Sequence, residues 1–446
     1  MALTRLPYCS PYRLFRAMVG TPRSAAERLH RAYATFAWRS MGGRHFGLVA
    51  LLITLWPLIF MVMATMFTRR IGPKVAAATG KSVARQLCEQ IWLALAHSIP
   101  PDKYYVFELF RDKRRALAAD YVLRYELKGG FHNLMHLWAR SDPAMGNTKH
   151  LLTEKLDFFR RCQAGGVDTA RVLFQVEHDP QRDAWRLVPE GQGDCALPGC
   201  DLFIKPARGK GGRGCEKWFF AGSDYRDPRG RTLSRQALLW HIEALARRRG
   251  RYLIQECLVN HAALRDLSPG ITSLRITSCR TENGNFEVTN ATLKIAFAGD
   301  SAVDNFHRGG GVAAVDVGTG MLGQASDSWQ AHPCVWHDAH PATGARIAGR
   351  ILPLWPETRD LVVRAHRLFP DRIMLGFDVA VTDRGPVIIE GNVQSGCDMI
   401  QRTSDLPVGR QRLGELLAFH ATHAINRPLP PKQMIWFGPQ DYFGRR

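Results

Sequence analysis

The longest apolar stretch of the chain lies near its N-terminus. Residues 46–67 read FGLVALLITLWPLIFMVMATMF and carry no charged side chain over 22 positions. At about 1.5 Å per residue, a helix of this length spans roughly 33 Å, close to the hydrocarbon core of a bilayer. A secretory signal peptide begins closer to the first residue and is shorter. The pattern predicts membrane insertion, and a buried core helix is the alternative.

Both ends of this apolar run are basic, and a proline lies near its middle. The flanking cations are Arg39, Arg44, Arg69, Arg70 and Lys74. Because cations occur on both sides, the excess of positive charge in cytoplasmic loops does not orient the run. Pro57 would kink a helix at this point. We expect a kinked or re-entrant hairpin with both ends in the cytoplasm, and the alternative is a single span.

Positive charge is concentrated in the same region. Residues 1–85 hold 13 lysines and arginines against one acid, Glu27, in a chain of net charge +20. Such a segment suits an anionic membrane surface or a nucleic acid. Its position around an apolar run favours membrane lipid, and we expect no nucleic-acid partner. The ten cysteines form no CxxC pair, which indicates free thiols in a reducing compartment rather than disulfides or a zinc site.

Residues 76–145 are predicted to form a helical connector, because apolar residues recur there at helical spacing. His132 and His136 would share one face of a helix. Their spacing lacks the glutamate of the zinc-protease motif HExxH, so we do not expect a metal there. Short strand-like runs begin where this helical pattern ends.

A glycine-rich loop follows the strand-like run DLFIKP, which contains Lys205. The loop consists of Gly209, Lys210, Gly211, Gly212, Arg213 and Gly214. Its backbone amides can approach phosphates closely, and its cations add charge. The spacing also satisfies G-x-G-x-x-G, but a dinucleotide-binding fold needs a helix after the loop, whereas EKWFFAG is strand-like. We predict a hairpin loop over phosphates, and a flexible surface turn is the alternative.

Polar residues recur in apolar surroundings further along the chain. A strand that ends at Gln255 leads through Glu256 to Val259, which is plausible as an inter-domain hinge that meets a purine base and ribose. Arg275 lies in an apolar strand, where a guanidinium must be paired with a carboxylate or an anionic ligand. Lys294 lies in the following strand.

The hairpin of residues 375–401 carries three oxygen ligands. Apolar runs flank the turn TDRGP, with Asp378 in the first strand. Glu390 and Asn392 end the second strand, and because they are two residues apart they point to one face. This hard oxygen set suits a Mg²⁺ ion that holds nucleotide phosphates. An ordinary solvent-facing hairpin is the alternative.

The order of these segments resembles the ATP-grasp superfamily, and more narrowly the sugar-transfer-associated ATP-grasp proteins related to α-L-glutamate ligases. The matching segments are IKPARGKGGRG, LIQECLVNH, TSLRITS, DNFHRGGG and LGFDVAVTDRGPVIIEGN. The resemblance implies an α/β (α+β) fold that holds ATP and two Mg²⁺ ions between two α+β subdomains. We expect four regions: residues 1–75 with the membrane segment 46–67, the connector 76–145, the catalytic domain 146–426 and a tail 427–446.

The resemblance also implies a role for each matching residue. Lys149, Lys205 and residues 209–214 would hold the nucleotide phosphates, and Gln255, Glu256 and Val259 would receive adenine. The implied catalytic groups are Arg275, Lys294 and Lys205, and the implied magnesium ligands are Asp378, Glu390 and Asn392. Glu390 would bridge the two ions. Two departures concern the acceptor more than ATP: Thr272 and Ser273 replace an Asn-Thr pair, and Val393 replaces an aromatic residue.

The function implied is an ATP- and Mg²⁺-dependent ligase that activates a carboxylate as an acylphosphate for attack by an amine. By analogy, its substrates would be sugar-linked or other small molecules used in cell-surface polysaccharide modification. We expect it at the bacterial inner membrane, with its catalytic domain in the cytoplasm. Two alternatives remain: an ATP-grasp phosphotransferase, and a membrane-tethered nucleotide-binding scaffold without turnover.

Overall fold

The computed structural model describes residues 10–40, 43–141, 146–181, 183–191, 196–209, 212–268, 270–297 and 310–427. The α-helices are α1 (Tyr12–Arg16), α2 (Ala25–Ser40), α3 (Gly43–Thr79), α4 (Val83–His97), α5 (Pro101–Val106), α6 (Asp112–Arg115), α7 (His132–Ser141), α8 (Lys149–Thr153), α9 (Lys155–Ala164), α10 (Arg235–Arg249), α11 (Trp355–Arg367), α12 (Asp398–Thr403) and α13 (Arg412–Ile425). The strands are β1 (Val172–Asp179), β2 (Ala184–Pro189), β3 (Leu202–Pro206), β4 (Glu216–Ala221), β5 (Asp224–Arg226), β6 (Thr232–Ser234), β7 (Tyr252–Glu256), β8 (Ser273–Arg280), β9 (Phe286–Ile295), β10 (Gly311–Val315), β11 (Leu322–Ser326), β12 (Trp336–His337), β13 (Met374–Thr382) and β14 (Gly385–Asn392).

The N-terminal helices pack against the C-terminal end of the described chain. α2 lies along α13, and Leu29 and Leu413 belong to the same buried cluster. Arg13 of α1 donates from Nε to Oε1 of Glu126 at 2.9 Å, and His30 Nδ1 lies 2.7 Å from the same oxygen. These buried contacts hold residues 10–40 on the same body as the rest of the protein.

α3 is one continuous helix across the apolar run, so the hairpin expected from Pro57 is wrong. Pro57 has no backbone N–H and leaves the carbonyl of Ile53, four residues earlier, without its helical donor. The hydroxyl of Tyr12 donates to that carbonyl at 2.9 Å. By length and composition alone, Val49–Thr79 is long and apolar enough to cross a membrane, and an 18-residue window within it has a mean hydropathy of 2.3.

The first sheet has the strand order β2-β1-β7-β3-β4-β5-β6, and its pairs are antiparallel. α10 packs on it, with Leu238 and Ile242 buried in the same cluster as Trp218. The helix begins after Ser234, whose side chain accepts the N–H of Ala237 and satisfies one of the free amides of the first turn. This sheet carries Lys205 on β3.

The second sheet has the order β12-β11-β10-β9-β8-β13-β14 and is also antiparallel. Its strand β13, which pairs with β8 on one side and β14 on the other, is buried along its whole length. α11 covers one face, where Leu361 and Val362 join a core that includes Phe377 and Val379. The candidate metal ligands therefore lie on a rigid support.

Two further segments contain strands that complete the sheets. The polar stretch 180–194 contains β2, which pairs with β1 from Phe174 opposite Pro189 to Asp179 opposite Ala184. The stretch 321–336 contains β11 and the start of β12, and β11 pairs with β10. In both segments, cross-strand partners elsewhere in the chain supply hydrogen bonds that local sequence does not reveal.

Candidate active site

Charged side chains from four strands of the second sheet meet on one face because of the strand register. Asp378 on β13 lies opposite Glu390 on β14 and opposite Arg275 on β8. Thr292 on β9 lies opposite Arg275, and Lys294, two residues further, points to the same face. The hydrogen-bonded ladder thus gathers two acids and two bases from residues far apart in sequence.

Asp378 is the centre of this group. Arg275 donates to it from Nε and, at 3.1 Å, from Nη2, and Lys294 Nζ lies 3.3 Å from Oδ2. Burial alone would raise the pKa of Asp378, but Arg275 and Lys294 outweigh burial and hold that pKa below its usual value. The carboxylate is therefore ionised at neutral pH. The anionic partner expected for Arg275 is thus the carboxylate of Asp378.

Glu390 and Asn392 extend the oxygen set along β14. Asn392 Nδ2 donates to Glu390 Oε1 at 3.3 Å, so the two side chains are neighbours, as their spacing predicted. Within the described residues, no group of three or more His, Cys, Asp or Glu side chains is suited to hold a metal. The candidate set instead combines two carboxylates with one amide, whose oxygen is also a suitable ligand for Mg²⁺.

Lys205 reaches the same place from the first sheet. Its residue is 4% exposed, and its Nζ makes no hydrogen bond or ion pair with any residue in the described part of the chain. Burial lowers the pKa of Lys205 to about 8, with Glu390 acting in the opposite direction and Lys155 acting with burial. Lys205 and Glu390 are therefore close enough to interact electrostatically, and we call the space between the two sheets at this point the cleft.

Lys155 supports the start of the glycine loop, a role that sequence reasoning missed. It donates from Nζ to the carbonyls of Pro206 at 3.2 Å and Gly209 at 3.1 Å. The only signal in the sequence was its closeness to Lys149. Cys215 was also missed: burial raises the pKa of its thiol, and Lys205, Lys155 and Glu390 all act on it. It therefore lies beside the cleft, directly after the loop.

The glycine loop is described in part, since Lys210 and Gly211 lie outside the described residues. Gly214 has a φ of 78°, and a Cβ there would lie 2.7 Å from Arg249 Nη1 and 2.9 Å from Tyr252 Oη. Glycine is therefore required at this position. Arg213 is exposed.

The predicted hinge joins the two sheets. Gln255 is buried, and its Nε2 donates to the carbonyl of Ala170 at 2.6 Å, so its side chain serves the fold. Glu256 accepts a hydrogen bond of 2.7 Å from Arg384 in the β13–β14 turn. Val259 is exposed. These contacts fix the orientation of the hinge relative to the second sheet.

Lys149 lies in different surroundings from Lys205. It begins α8 and is half-buried, and its pKa is lowered by burial and by the cations Arg372 and Arg140. The same cations, with burial as the main cause, lower the pKa of His136 to about 4. The structure therefore places Lys149 in a cationic cluster next to α7, and the described contacts do not join it to Lys205.

Comparison with known families identifies the domain that contains the cleft. The sequence profile of the sugar-transfer associated ATP-grasp family matches residues 146–407, more than half of the chain. The chain belongs to this family. The match spans both sheets, so the two-sheet arrangement is the ATP-grasp fold, and it leaves α1–α7 and α13 outside the profile. No curated protein matches the sequence significantly.

Solved structures of other enzymes are similar to the chain at low sequence identity. One is D-alanyl-alanine synthetase A from Vibrio cholerae, with 14% identity, a TM-score of 0.35 and coverage of 62% of this chain and 66% of that one. Another is L-amino acid ligase from Bacillus licheniformis, with 12% identity, a TM-score of 0.33 and coverage of 66% of this chain and 54% of that one. A third is VanG D-Ala:D-Ser ligase from Enterococcus faecalis, with 11% identity, a TM-score of 0.34 and coverage of 62% of this chain and 62% of that one. This chain spans less than two thirds of the length of each.

Proposed function

We propose that this ATP-grasp protein is an ATP- and Mg²⁺-dependent ligase that activates a carboxylate for attack by an amine. The observation that carries the proposal is the buried ammonium of Lys205 beside Glu390, opposite a ladder that joins Asp378 to Arg275. A buried lysine that makes no ion pair with a described residue is costly, and a phosphate group would supply one. The family membership agrees with this chemistry.

The residues around the cleft fit a magnesium nucleotide. Lys205, Lys149 and the glycine loop would hold the phosphates, and the hinge from Gln255 through Glu256 to Val259 would receive adenine. Asp378, Glu390 and Asn392 present oxygen atoms for two Mg²⁺ ions. When bound, ATP would supply a phosphoryl group that converts the substrate carboxylate into an acylphosphate, with Mg²⁺ offsetting the negative charge.

The basic residues next to Asp378 have a definite part in this proposal. Arg275 and Lys294 are held by Asp378 at the edge of the cleft, where they would orient the substrate carboxylate and stabilise charge on the transferred group. Holding acid and amine in one cleft supplies much of the remaining rate advantage. No nucleophilic side chain is required for this reaction.

The proposal includes a location and a substrate class. We infer attachment of the protein to the bacterial inner membrane, with its ATP-grasp domain in the cytoplasm. This is supported by the apolar helix α3 and by the 13 basic residues in positions 1–85. We further propose a sugar-linked or other small carboxylate and an amine, used in cell-surface polysaccharide modification. The support for this part is the sugar-transfer association of the family.

The test measures ADP and inorganic phosphate release with pooled carboxylates and amines, with amide products identified by mass spectrometry. The expected result is equal release of ADP and phosphate that depends on both substrates. ADP without free phosphate would instead identify a phosphotransferase, and nucleotide binding without turnover would identify a scaffold.

A matched pair of variants tests the metal site in the same assay. Glu390→Gln should abolish Mg²⁺-dependent turnover while leaving the unfolding temperature near that of the wild type. Glu282→Gln removes an exposed carboxylate that is paired with Arg412 and should leave turnover unchanged. Wild-type turnover by Glu390→Gln would exclude Glu390 as a metal ligand.

A further inference from the structure

The two faces of α3 have opposite surroundings. The buried residues of its apolar part recur every three or four positions and include Trp56, Phe60, Ala64, Phe67 and Ile71. Leu51, Leu55, Leu58 and Val62 are between 42% and 66% exposed. At about 100° per residue, these four lie within roughly 60° of one another on the side opposite the buried face. We call these four residues the apolar stripe.

Both halves of α3 are attached to the same protein body. In the N-terminal half, Ile53 accepts the hydroxyl of Tyr12, and α1 is tied by Arg13 to the buried Glu126. In the C-terminal half, Lys74 donates to the carbonyl of Ala331 at 2.8 Å. A helix that crossed a bilayer would place residues 10–40 on the far side from α13, against which α2 packs. The packing therefore excludes a crossing in this conformation.

The length of the apolar stripe leads to the same conclusion. From Leu51 to Val62 the helix rises about 17 Å, roughly half of the 30 Å hydrocarbon thickness of a bilayer. The same face continues through Thr65 to Arg69. The stripe is thus long enough to enter one leaflet sideways and too short to span two.

Cations border the stripe at its C-terminal end. A surface concavity of about 670 Å³ is lined by Met61, Val62, Thr65, Met66, Arg69 and Arg70. Both arginines are exposed, and neither forms an ion pair with a residue that the structure describes. Apolar side chains next to two solvent-facing guanidiniums match the chemistry of an anionic phospholipid, whose acyl chains and phosphate need adjacent apolar and cationic surfaces.

We propose that α3 lies in the plane of an anionic membrane, with the apolar stripe inserted in one leaflet and Arg69 and Arg70 on lipid phosphates. This inference rests on the membrane attachment proposed above and is independent of the ligase reaction. Residues before and after α3 then remain on one side of the membrane. The cleft remains in the compartment that contains both ends of the helix.

Impermeant labelling distinguishes the in-plane arrangement from a span. Thr21→Cys and Ala78→Cys each introduce a thiol at an exposed position, one before α3 and one in its last turn, beyond the apolar stripe. Membranes that contain either variant are treated with an impermeant maleimide as sealed right-side-out or inverted vesicles, and labelled peptides are identified by mass spectrometry. We expect both thiols to be labelled only in inverted vesicles. Labelling of the two thiols from opposite sides would overturn the proposal.

Vesicle flotation of the full-length purified protein tests the stripe itself. The wild type should float with vesicles of phosphatidylglycerol and phosphatidylethanolamine, and much less with vesicles of phosphatidylcholine. The double variant Leu55→Glu/Leu58→Glu should bind the anionic vesicles at least about tenfold more weakly. Ile351→Glu replaces an equally exposed isoleucine elsewhere and should bind as the wild type does.

A second flotation experiment tests the two arginines. Arg69→Gln/Arg70→Gln should reduce binding to anionic vesicles about tenfold at low salt, and binding to phosphatidylcholine should change little. Sedimentation of the same proteins detects the rival occupant of the stripe, a second copy of the chain. If Leu55→Glu/Leu58→Glu dissociates a wild-type dimer and leaves vesicle binding unchanged, the in-plane proposal is wrong. Because none of these measurements uses turnover, they are separate from the test of ligase activity.

Discussion

Two buried carboxylates in this protein have similar partners and different surroundings. Glu126 accepts from Arg13 and lies against His30, while Asp378 accepts from Arg275 and Lys294. In both clusters the pKa of the acid is lowered against the effect of burial, for Glu126 to about 2. The difference lies in access to water and in the other partners of the bases.

The Glu126 cluster is closed. The Glu126 side chain is 0% exposed and that of Arg13 is 5% exposed. Arg13 also donates to the carbonyls of His97 at 2.7 Å and Tyr121 at 3.4 Å, so its hydrogen-bonding capacity is used within the protein. Such a cluster ties α1 and α2 to the segments between α4 and α7, and its role is structural.

The Asp378 cluster is open on the side of the cleft. The side chains of Arg275 and Lys294 are 19% and 12% exposed, and the buried Lys205 lies across from Glu390. A ligand that enters from the cleft can therefore exchange contacts with this cluster without disturbing the core. A buried ion pair is therefore informative about function only when one side of it remains accessible.

The largest expected effect is on ATP turnover, which should depend on the Asp378 cluster and not on the Glu126 cluster. Asp378→Asn should reduce Mg²⁺-dependent ATP turnover by at least about 10³-fold, since roughly 4 kcal/mol of transition-state stabilisation is lost with a metal ligand that also orients Arg275. Steady-state kinetics at saturating substrate measure this change. Glu126→Gln is the matched control and should retain turnover at temperatures where it is folded. Equal losses in both variants would contradict the division of roles.

The next effect is on stability. Glu126→Gln leaves Arg13 buried without its carboxylate, which should lower the free energy of unfolding by about 3 kcal/mol. We expect the low end of the usual range because Arg13 and His30 also contact backbone carbonyls. Urea unfolding measures the loss, and amide exchange should show that α2 opens first. An unchanged midpoint would mean that the Glu126 cluster does not hold the N-terminal helices.

Sequence reasoning found one of these clusters and missed the other, for physical reasons. The hairpin β13–β14 was predictable because its turn and its alternation of side chains are local, so Asp378, Glu390 and Asn392 could be placed on one face. Arg275 was recognised as needing an anion because a guanidinium is rare in an apolar strand. The Glu126 cluster joins Glu126 to Arg13 and His30, which lie 113 and 96 positions away, and no local pattern indicates that these residues pair.

The same distinction explains the other errors. Lys155 and Cys215 reach the cleft through the docking of a helix and a loop, which depends on tertiary packing. In α3, the carbonyl that Pro57 leaves without a helical donor accepts from the hydroxyl of Tyr12, which lies 41 positions from Ile53. Local chemistry thus predicts strands and turns well, and it predicts poorly where a distant residue supplies a missing partner.

A smaller effect is the pH dependence of ATP affinity, which tests whether the ammonium of Lys205 attracts an anion into the cleft. Because the pKa of Lys205 is about 8, the ammonium form that attracts phosphate is lost as the pH rises above 8. ATP affinity should fall roughly tenfold between pH 7.5 and pH 9, with proton uptake on binding at pH 9. Calorimetry in buffers of different ionisation enthalpy measures both. Lys205→Arg should abolish the pH dependence, and a flat wild-type profile would contradict the assignment.

The smallest expected effect is on the stability of the Asp378 cluster, when its carboxylate is replaced by an amide as at Glu126. Asp378→Asn should lower the free energy of unfolding by about 1 kcal/mol, although it removes a carboxylate from two cations. Water in the cleft can solvate Arg275 and Lys294, the asparagine oxygen can still accept a hydrogen bond, and the cost of burying the carboxylate is relieved. Urea unfolding of both variants in one buffer gives the comparison directly. A loss as large as that of Glu126→Gln would show that Asp378 is as structural as Glu126, and accessibility would then no longer distinguish the two clusters.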